Sequence, residues 1–476
     1  MPLPPDEVLD AWKARVRPIE EAELALVRAI VTHPPWLSEP DEHALRYALN
    51  LARLTLVRTP DGADVDVAPI LAPYREEVLA VAPPVLVRPG GFDQVAAARL
   101  VPHLREHARA WRARLLAAVG DRLPAAALDR ELCEKALVVV CGGGGGVTWS
   151  YLGAFDLLER FGLEPRLLAG TSMGAALALF RARARRWRTE EVLEVVRGLS
   201  FRTLFQFLET GSRYGLPAAM RLYLRAAVLD HLAGPGGEAP TLGALPIPLV
   251  VACTGVRTGA LPREPEYYEH LLDRHGRAPR PHVVKRLVSE IFQTVSEFMI
   301  QRDRFARVYL GADEGTAGFD AIDAVGFSSA LPGVIHYDVL RDDPRMHALL
   351  ADLFARRELF RLVDGGLVDN LPARTAWGLS QTGVTGTRNA FVLGLEGFGP
   401  KLTQPLWFGL EQLAAQNVAR NRGFVHLLRS YQRVLSPIEI VPGARSLSRA
   451  IQAGRAELLP DLPLLARMIR PFPPLS

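Results

Sequence analysis

The segment Gly170-Thr171-Ser172-Met173-Gly174 fits the pattern G-x-S-x-G, in which the serine can act as a nucleophile. A sharp turn between a strand and a helix favours such a serine, because the turn pushes Oγ out of the sheet. The turn also brings neighbouring backbones close together, so Gly170 and Gly174 fit where a side chain would not. The following helix would point unpaired N–H groups at a forming oxyanion. Ser172 is therefore a candidate nucleophile for acyl transfer.

Five consecutive glycines occupy positions 142–146, upstream of this serine. A P-loop needs a lysine after its last glycine, and a dinucleotide fingerprint needs G-x-G-x-x-G. The run meets neither requirement, because Val147, Thr148 and Trp149 follow it. Two interpretations remain. One is an oxyanion loop, whose bare backbone N–H groups stabilise a developing negative charge, and the other is a flexible glycine turn.

Asp364 lies far downstream, after a short apolar segment and before Gly365 and Gly366. A carboxylate at this position could accept the proton of Ser172 as the serine attacks an ester. On its own, an Asp-Gly-Gly sequence is usually a turn. The assignment of Asp364 as a base therefore depends on its proximity to Ser172.

An ordinary α/β-hydrolase is the competing interpretation, and it requires a serine, an acid and a histidine in that order. His426 is the only histidine after Asp364. It lies in residues 422–429, a run that favours a helix, where a single histidine fits a structural role better than a catalytic one. A Ser172–Asp364–His426 triad remains an alternative at this stage.

The elements that must position these residues alternate between strands and helices. Residues 136–141 form a continuous apolar run, which is typical of a strand buried on both faces. Further strands are predicted at 166–169, 247–253 and 390–395, and helices at about 149–160 and 175–187. Strand, turn and helix in repeated succession predict an α/β fold with a parallel sheet and crossover helices.

Three regions are expected along the chain. Residues 1–132 are predicted to form a helical N-terminal region, with apolar periodicity at 20–30, 42–57 and 96–119. It contains no catalytic constellation, so a packing or regulatory role is expected, with an arginine-lined face for phospholipid headgroups as the alternative. Residues 133–400 hold the candidate site and an insertion at about 262–345. Residues 401–476 are predicted to be helical and to pack on the core.

Together the three candidate segments resemble the patatin-like phospholipase family. That family combines a glycine-rich oxyanion loop, a G-x-S-x-G serine and an Asp-Gly-Gly or Asp-Gly-Ala aspartate. The resemblance covers roughly residues 136–395. It includes Gly153 in the helix after the loop, Ile247-Pro-Leu-Val-Val-Ala-Cys-Thr-Gly-Val-Arg-Thr-Gly259, and Ser328-Ser-Ala-Leu-Pro-Gly333, which is similar to the family's S-x-A-x-P segment.

The resemblance implies a three-layer α/β/α fold with a mainly parallel sheet, and a Ser172–Asp364 dyad without histidine. It also implies an oxyanion hole formed by three glycines, Gly143, Gly144 and Gly145. The expected substrate is a lipid or phospholipid ester, cleaved by phospholipase A-type or lysophospholipase activity. Neither a cofactor nor a metal ion is expected.

One departure from the family pattern concerns the glycine loop. The family usually has Arg or Lys and then Gly where this chain has Val147 and Thr148. A missing cation would weaken the electrostatics near an oxyanion. A catalytically weak or inactive lipid-binding or scaffold protein on the same fold is therefore a further alternative.

Composition limits the cellular setting. The 476 residues have a net charge of only +4, and the scarcity of lysine means that the positive charge is nearly all arginine, so no nucleic-acid partner is expected. Three scattered cysteines indicate reduced thiols and a cytoplasmic location. No signal peptide or membrane span is expected from the sequence. A lipid substrate would then require transient contact with a membrane surface, at the inner face of the membrane.

Overall fold

The computed structural model describes residues 3–33, 35–88, 91–207, 212–234, 236–259, 304–397, 416–431 and 435–475. Their strands, in chain order, are β1 (Leu56–Arg58), β2 (Asp64–Asp66), β3 (Ala136–Cys141), β4 (Pro165–Thr171), β5 (Phe205–Phe207), β6 (Ala218–Leu222), β7 (Leu249–Arg257), β8 (Phe305–Leu310), β9 (Gly333–His336), β10 (Leu359–Asp364), β11 (Ala390–Glu396) and β12 (Leu427–Ser430).

The helices in the same residues are α1 (Asp6–Thr32), α2 (Glu39–Arg53), α3 (Ala68–Val81), α4 (Pro83–Leu86), α5 (Gln94–Val119), α6 (Ala125–Cys133), α7 (Tyr151–Arg160), α8 (Met173–Ala182), α9 (Thr189–Gly198), α10 (Phe201–Leu204), α11 (Leu224–Leu232), α12 (Glu314–Ala317), α13 (Ala321–Ser328), α14 (Pro344–Arg357), α15 (Ala373–Gln381), α16 (Ala444–Leu458) and α17 (Leu462–Ile469). Residues 416–421 are helical as well.

A seven-stranded sheet lies at the centre of the fold. Its strands follow the spatial order β10–β7–β4–β3–β11–β12, and β8 also pairs with β7. The pairs among β7, β4, β3, β11 and β12 are parallel, whereas β8 and β10 run antiparallel to β7. The predicted mainly parallel sheet is therefore confirmed.

Helices cover both faces of this sheet. Alternate residues of β3 point in opposite directions: Val139 packs in the core that includes α7 and α8, and Val140 packs in the core that includes α1 and α15. Strand β3 is buried along its whole length, as its continuous apolar run indicated. The predicted three-layer α/β/α arrangement is confirmed.

The N-terminal region is mainly helical and has a hydrophobic core of its own, to which α2, α3 and α5 contribute. The short hairpin β1–β2 interrupts it, so Leu56 and Val57 belong to a strand and the helix predicted to reach residue 57 ends at Arg53. Helix α1 contributes to this core and also packs Leu9 and Val16 on the central sheet. Helix α1 therefore packs against both the N-terminal core and the central sheet.

Two sequence expectations downstream differ from the structure. Residues 262–303 of the predicted insertion lie outside the described residues. Residues 304–345 contribute β8 to the central sheet and helix α13 to its packing, so this part belongs to the core. In the C-terminal region, the prediction of helix at 422–429 is wrong. Strand β12 forms there because the edge of β11 offers backbone groups to pair with.

No helix within the described part of the chain is both long enough and apolar enough to cross a membrane.

A buried carboxylate joins the N-terminal region to the sheet. Glu23 of α1 accepts hydrogen bonds from Arg46 Nε at 3.1 Å and from Lys135 Nζ at 2.9 Å. Lys135 lies directly before β3, and all three side chains are almost fully buried. Removing one member of such a group leaves the other charges buried without full compensation.

We therefore expect Glu23→Gln to lower the free energy of unfolding by about 3–5 kcal/mol in urea titrations. Glu21→Gln is the matched control, because Glu21 is exposed and pairs with exposed Arg17, and it should change stability by less than about 0.5 kcal/mol. Equal effects of the two substitutions would show that the buried cluster does not couple the two regions.

Candidate active site

Two strands of the sheet end against each other beside the candidate nucleophile. Strand β4 pairs with the first part of β7, so that Thr171 lies opposite Ala252. Strand β10 pairs with the rest of β7, so that Asp364 lies opposite Cys253. Because β8 occupies the other edge of β7 along residues 251–256, β4 and β10 share one edge and approach end to end. Ser172 follows Thr171 directly, so the sheet brings it to Asp364.

Ser172 occupies a strained backbone conformation between β4 and α8, with φ of 54° and ψ of −135°. Such a conformation costs about 1–3 kcal/mol for a residue with a side chain and persists only where the surroundings enforce it. Here the Ser172 N–H donates to Ser328 Oγ at 2.8 Å, and the Ser328 hydroxyl donates to the Ala252 carbonyl at 2.6 Å. Ser328 thus ties the backbone of Ser172 to β7.

The glycines of the G-x-S-x-G segment allow the close backbone approach that this turn needs. A Cβ atom on Gly170 would lie 2.6 Å from Ala175 Cα, and one on Gly174 would lie 2.3 Å from the Gly142 carbonyl oxygen. Neither neighbour can move without shifting the backbone. The turn that holds Ser172 and the glycine loop are consequently in direct contact.

Asp364 lies at the end of β10 and is only 6% exposed. The Ser172 side chain lies beside its carboxylate and favours the ionised form, and the Gly366 N–H donates to Oδ1 at 2.7 Å. Burial raises the pKa of Asp364 to about 6, and the neighbouring Ser172 hydroxyl and Gly366 N–H act in the opposite direction. A carboxylate with this pKa is a better base near neutral pH than an exposed aspartate.

The main chain around Asp364 is held on both sides. Its N–H donates to the Ala330 carbonyl at 2.9 Å, and its own carbonyl accepts from Thr254 Oγ1 at 2.7 Å. The following Gly365 has no room for a side chain, since a Cβ atom there would lie 2.1 Å from the Ala252 carbonyl oxygen. The Asp-Gly-Gly sequence thus fixes the position of the carboxylate.

Two N–H groups of the glycine loop lie near Ser172 and are candidates for binding an oxyanion. Within the described residues, the N–H groups of Gly144 and Gly145 have no hydrogen-bond acceptor, and both residues line the same cavity as Ser172. The Gly143 N–H differs, because it donates to the Asn370 carbonyl at 3.2 Å. The geometry therefore offers Gly144 and Gly145 as oxyanion donors and gives Gly143 a supporting position.

An apolar cavity of about 320 Å³ opens beside these groups. Besides Ser172 and Asp364, its walls are mainly hydrophobic, with contributions from Met173, Leu177, Phe180, Met220, Leu222 and Val228. The apolar residues in 201–208 fit either an acyl channel or ordinary core on sequence alone, and Phe201, Leu204 and Phe205 among them line this cavity. The side chain of Phe207 and all of Leu208 lie outside the described residues.

The lining of this cavity within the described residues includes no arginine or lysine. Val147 is buried in the hydrophobic core, and the Thr148 hydroxyl donates to the Gly145 carbonyl at 2.8 Å. The positions where the family usually has Arg or Lys and then Gly are thus occupied by packing residues. Any negative charge at the site would be stabilised by backbone donors.

His426 lies away from Ser172, in front of β12 and three strands from β4. Its Nδ1 accepts the N–H of Val392 at 2.9 Å, and its Nε2 is 3.4 Å from a carboxylate oxygen of Glu20. Burial lowers the pKa of His426. These contacts are typical of a structural histidine. His426 is also too far from Ser172 in the sheet to complete a Ser172–Asp364–His426 triad in this structure.

A second buried carboxylate lies five residues after Asp364. The side chain of Asp369 accepts hydrogen bonds from Tyr309 OH at 2.7 Å and from Asn421 Nδ2 at 2.9 Å, and it does not line the cavity. Burial raises the pKa of Asp369 to about 6, although the Tyr309 hydrogen bond opposes this shift. A raised pKa alone therefore does not distinguish Asp364; its contact with Ser172 does.

Sequence reasoning missed two residues that position the site. The Asn370 side chain lines the cavity and its Nδ2 donates to the Gly143 carbonyl at 3.4 Å, which reinforces its backbone contact with the loop. Ser328 is the other; its likeness to the family's S-x-A-x-P segment gives it no specific role. Asn370 carries one local signal, as a polar residue inside a mostly apolar run, but its partner is 227 positions away.

Within the described part of the chain, no group of histidine, cysteine and carboxylate side chains could hold a metal ion.

The family model of the patatin-like phospholipases matches residues 139–377, which is about half of the chain. The chain therefore belongs to the patatin-like phospholipase family, a family of lipid acyl hydrolases. A comparison with curated proteins found no match.

The position of His426 leads to a direct prediction. His426→Asn keeps an acceptor for the Val392 N–H but removes any imidazole base, so kcat on a soluble ester should stay within about twofold of the unsubstituted protein. Some loss of thermal stability is expected, because the contact with Glu20 is lost. A fall of kcat by about 10³-fold in a folded His426→Asn protein would instead support the triad.

Proposed function

We propose that the protein hydrolyses carboxylic esters of phospholipids or lysophospholipids, with Ser172 as nucleophile and Asp364 as the base. The placement of these two side chains next to each other, at adjoining strand ends and inside an apolar cavity, carries this proposal. A cavity of this kind suits an acyl chain, because burying each methylene contributes about 0.8 kcal/mol to binding.

In the first half of the reaction, Asp364 takes the proton of the Ser172 hydroxyl as Oγ attacks the ester carbonyl carbon. The negative charge that forms on the carbonyl oxygen is stabilised by the N–H groups of Gly144 and Gly145. Asp364, now protonated, gives its proton to the leaving alcohol oxygen as the carbon–oxygen bond breaks. An acyl group remains bound to Ser172.

In the second half, a water molecule attacks the acyl carbonyl and Asp364 takes one of its protons. The new tetrahedral oxyanion uses the same two donors. When it collapses, the bond to Oγ breaks and the proton on Asp364 returns to Ser172. The products are a fatty acid and an alcohol, which is a lysophospholipid or a glycerophosphodiester for phospholipid substrates.

Exposed apolar residues at the entrance of the cavity support a lipid substrate that is presented at a membrane surface. Phe201 and Ile438 both line the cavity, and their side chains are 44% and 62% exposed. Exposed apolar side chains at the entrance of a site can enter the apolar layer of a membrane. We therefore propose transient contact with a membrane at this entrance, with lipid as the partner.

Fatty acid release from phosphatidylcholine or lysophosphatidylcholine vesicles tests the proposal. Ser172→Ala should abolish release and labelling by a fluorophosphonate probe, whereas Ser446→Ala, at a serine that does not line the cavity, should change neither. Vesicle binding without any release or labelling of the unsubstituted protein would favour the alternative, a lipid-binding or scaffold protein, which the replacement of a cation by Val147 suggests.

The raised pKa of Asp364 predicts the pH dependence. Asp364 can accept a proton only when it is ionised, so kcat/KM should fall about tenfold per pH unit below a midpoint near 6 and level off above about pH 7. Initial rates on p-nitrophenyl butyrate, with the melting temperature recorded at each pH, measure this profile. A rate that stays constant down to about pH 4.5 would exclude Asp364 as a base with this pKa.

A further inference from the structure

A segment near the C-terminus lies directly against the glycine loop. We call residues 436–441 the C-terminal strap. The Gly146 N–H donates to the Pro437 carbonyl at 2.9 Å, and the indole Nε1–H of Trp149 donates to the Ile440 carbonyl at 3.1 Å. The strap therefore accepts two hydrogen bonds from the segment that follows Gly144 and Gly145.

The last two glycines of the run provide the space for this contact. A Cβ atom on Gly145 would lie 2.0 Å from the Pro437 carbonyl oxygen, and one on Gly146 would lie 2.4 Å from the Glu439 carbonyl oxygen. Gly145 also has a φ of 53°, which disfavours side chains independently of the strap. A side chain at Gly146 would have to displace either the strap or the loop.

Helix α16, which follows the strap, is fixed behind the loop by an equally close approach. A Cβ atom on Gly153 of α7 would lie 2.1 Å from the Ile451 carbonyl oxygen, and one on Gly454 of α16 would lie 1.8 Å from the Ser150 carbonyl oxygen. The two helices thus meet backbone to backbone just after the loop. This contact fixes the C-terminal end of the strap next to the loop.

The strap also reaches the cavity itself. Pro437, Ile438 and Ile440 line it together with Ser172 and Gly144. The family match ends at residue 377, so this wall of the cavity comes from outside the matched segment.

We propose that the C-terminal strap is a positioning element of the acyl-transfer site, which holds the glycine loop so that the Gly144 and Gly145 N–H groups face the cavity. This inference rests on the proposed function, since it assigns those two groups to the oxyanion. It explains why the last two positions of the run, Gly145 and Gly146, are glycines. The strap's carbonyls bind the Gly146 N–H and the Trp149 indole, and they do not occupy the Gly144 and Gly145 N–H groups.

Gly146→Ala tests the strap, because Gly146 does not line the cavity and its N–H is bonded to Pro437. Loss of one oxyanion donor lowers kcat by about 10²–10³-fold, and small misplacements have similar effects. We expect kcat on p-nitrophenyl butyrate to fall at least about tenfold while KM stays within about twofold. Gly443→Ala is the matched control, since Gly443 follows the strap and a Cβ atom there meets nothing within 4 Å.

Trp149→Phe is the second variant, and it decides the question if Gly146→Ala does not fold. It removes the hydrogen bond to Ile440 but keeps an aromatic ring in the cavity wall. We expect kcat and the rate of fluorophosphonate labelling to fall together by about fivefold or more, with KM nearly unchanged. The pH midpoint should stay near 6, because Asp364 is untouched.

The possible results distinguish a failure of this inference from a failure of the proposed function on which it rests. An active unsubstituted protein whose Gly146→Ala and Trp149→Phe variants keep their kcat would overturn the role of the strap alone. Loss of activity in Gly443→Ala equal to that in Gly146→Ala would also overturn it, because the effect would then not depend on contact with the loop. An unsubstituted protein that neither cleaves esters nor labels at Ser172 would overturn the proposed function, and this inference with it.

Discussion

The site depends on the edge of β7 that β4 and β10 share. Because the two strands approach from opposite directions, the residue after one and the last residue of the other meet, and these are Ser172 and Asp364. Backbone hydrogen bonds in the sheet thus set the separation of these two residues, which the proposed mechanism uses as nucleophile and base. The same strand, β7, anchors Ser328, which holds the strained backbone of Ser172. Preorganisation of this kind reduces the reorganisation needed during reaction.

Burial has two opposite consequences for the electrostatics of this site. It destabilises the ionised form of Asp364 and so makes it a stronger base, and it strengthens the hydrogen bonds that a forming oxyanion would receive. The cavity has no cation in its described lining, so stabilisation of the oxyanion would come from the backbone of Gly144 and Gly145. That arrangement requires a rigid loop. The contacts with Asn370 on one side and with the strap on the other supply this rigidity.

Much of the fold was predictable, because its signals are local. The apolar run of β3 and the G-x-S-x-G turn depend on a few neighbouring residues, and the structure has both where the sequence indicated. Contacts between distant segments were not predictable. Strand β12 forms by pairing with β11, and the Gly143 N–H is occupied by a hydrogen bond to the distant Asn370 carbonyl. The strap is a further case, because nothing in residues 436–441 indicates that they lie against a loop nearly 300 positions away.

The rate of ester cleavage by Asp364→Asn tests the central claim most directly. Asparagine keeps the size of the side chain but cannot accept the serine proton, so kcat should fall by about 10²–10⁴-fold in a folded protein. Asp369→Asn is the matched control, because Asp369 is equally buried and has a similarly raised pKa but does not line the cavity. The account predicts a large loss for Asp364→Asn and a small change for Asp369→Asn. An Asp364→Asn protein that cleaves esters at the unsubstituted rate would contradict it.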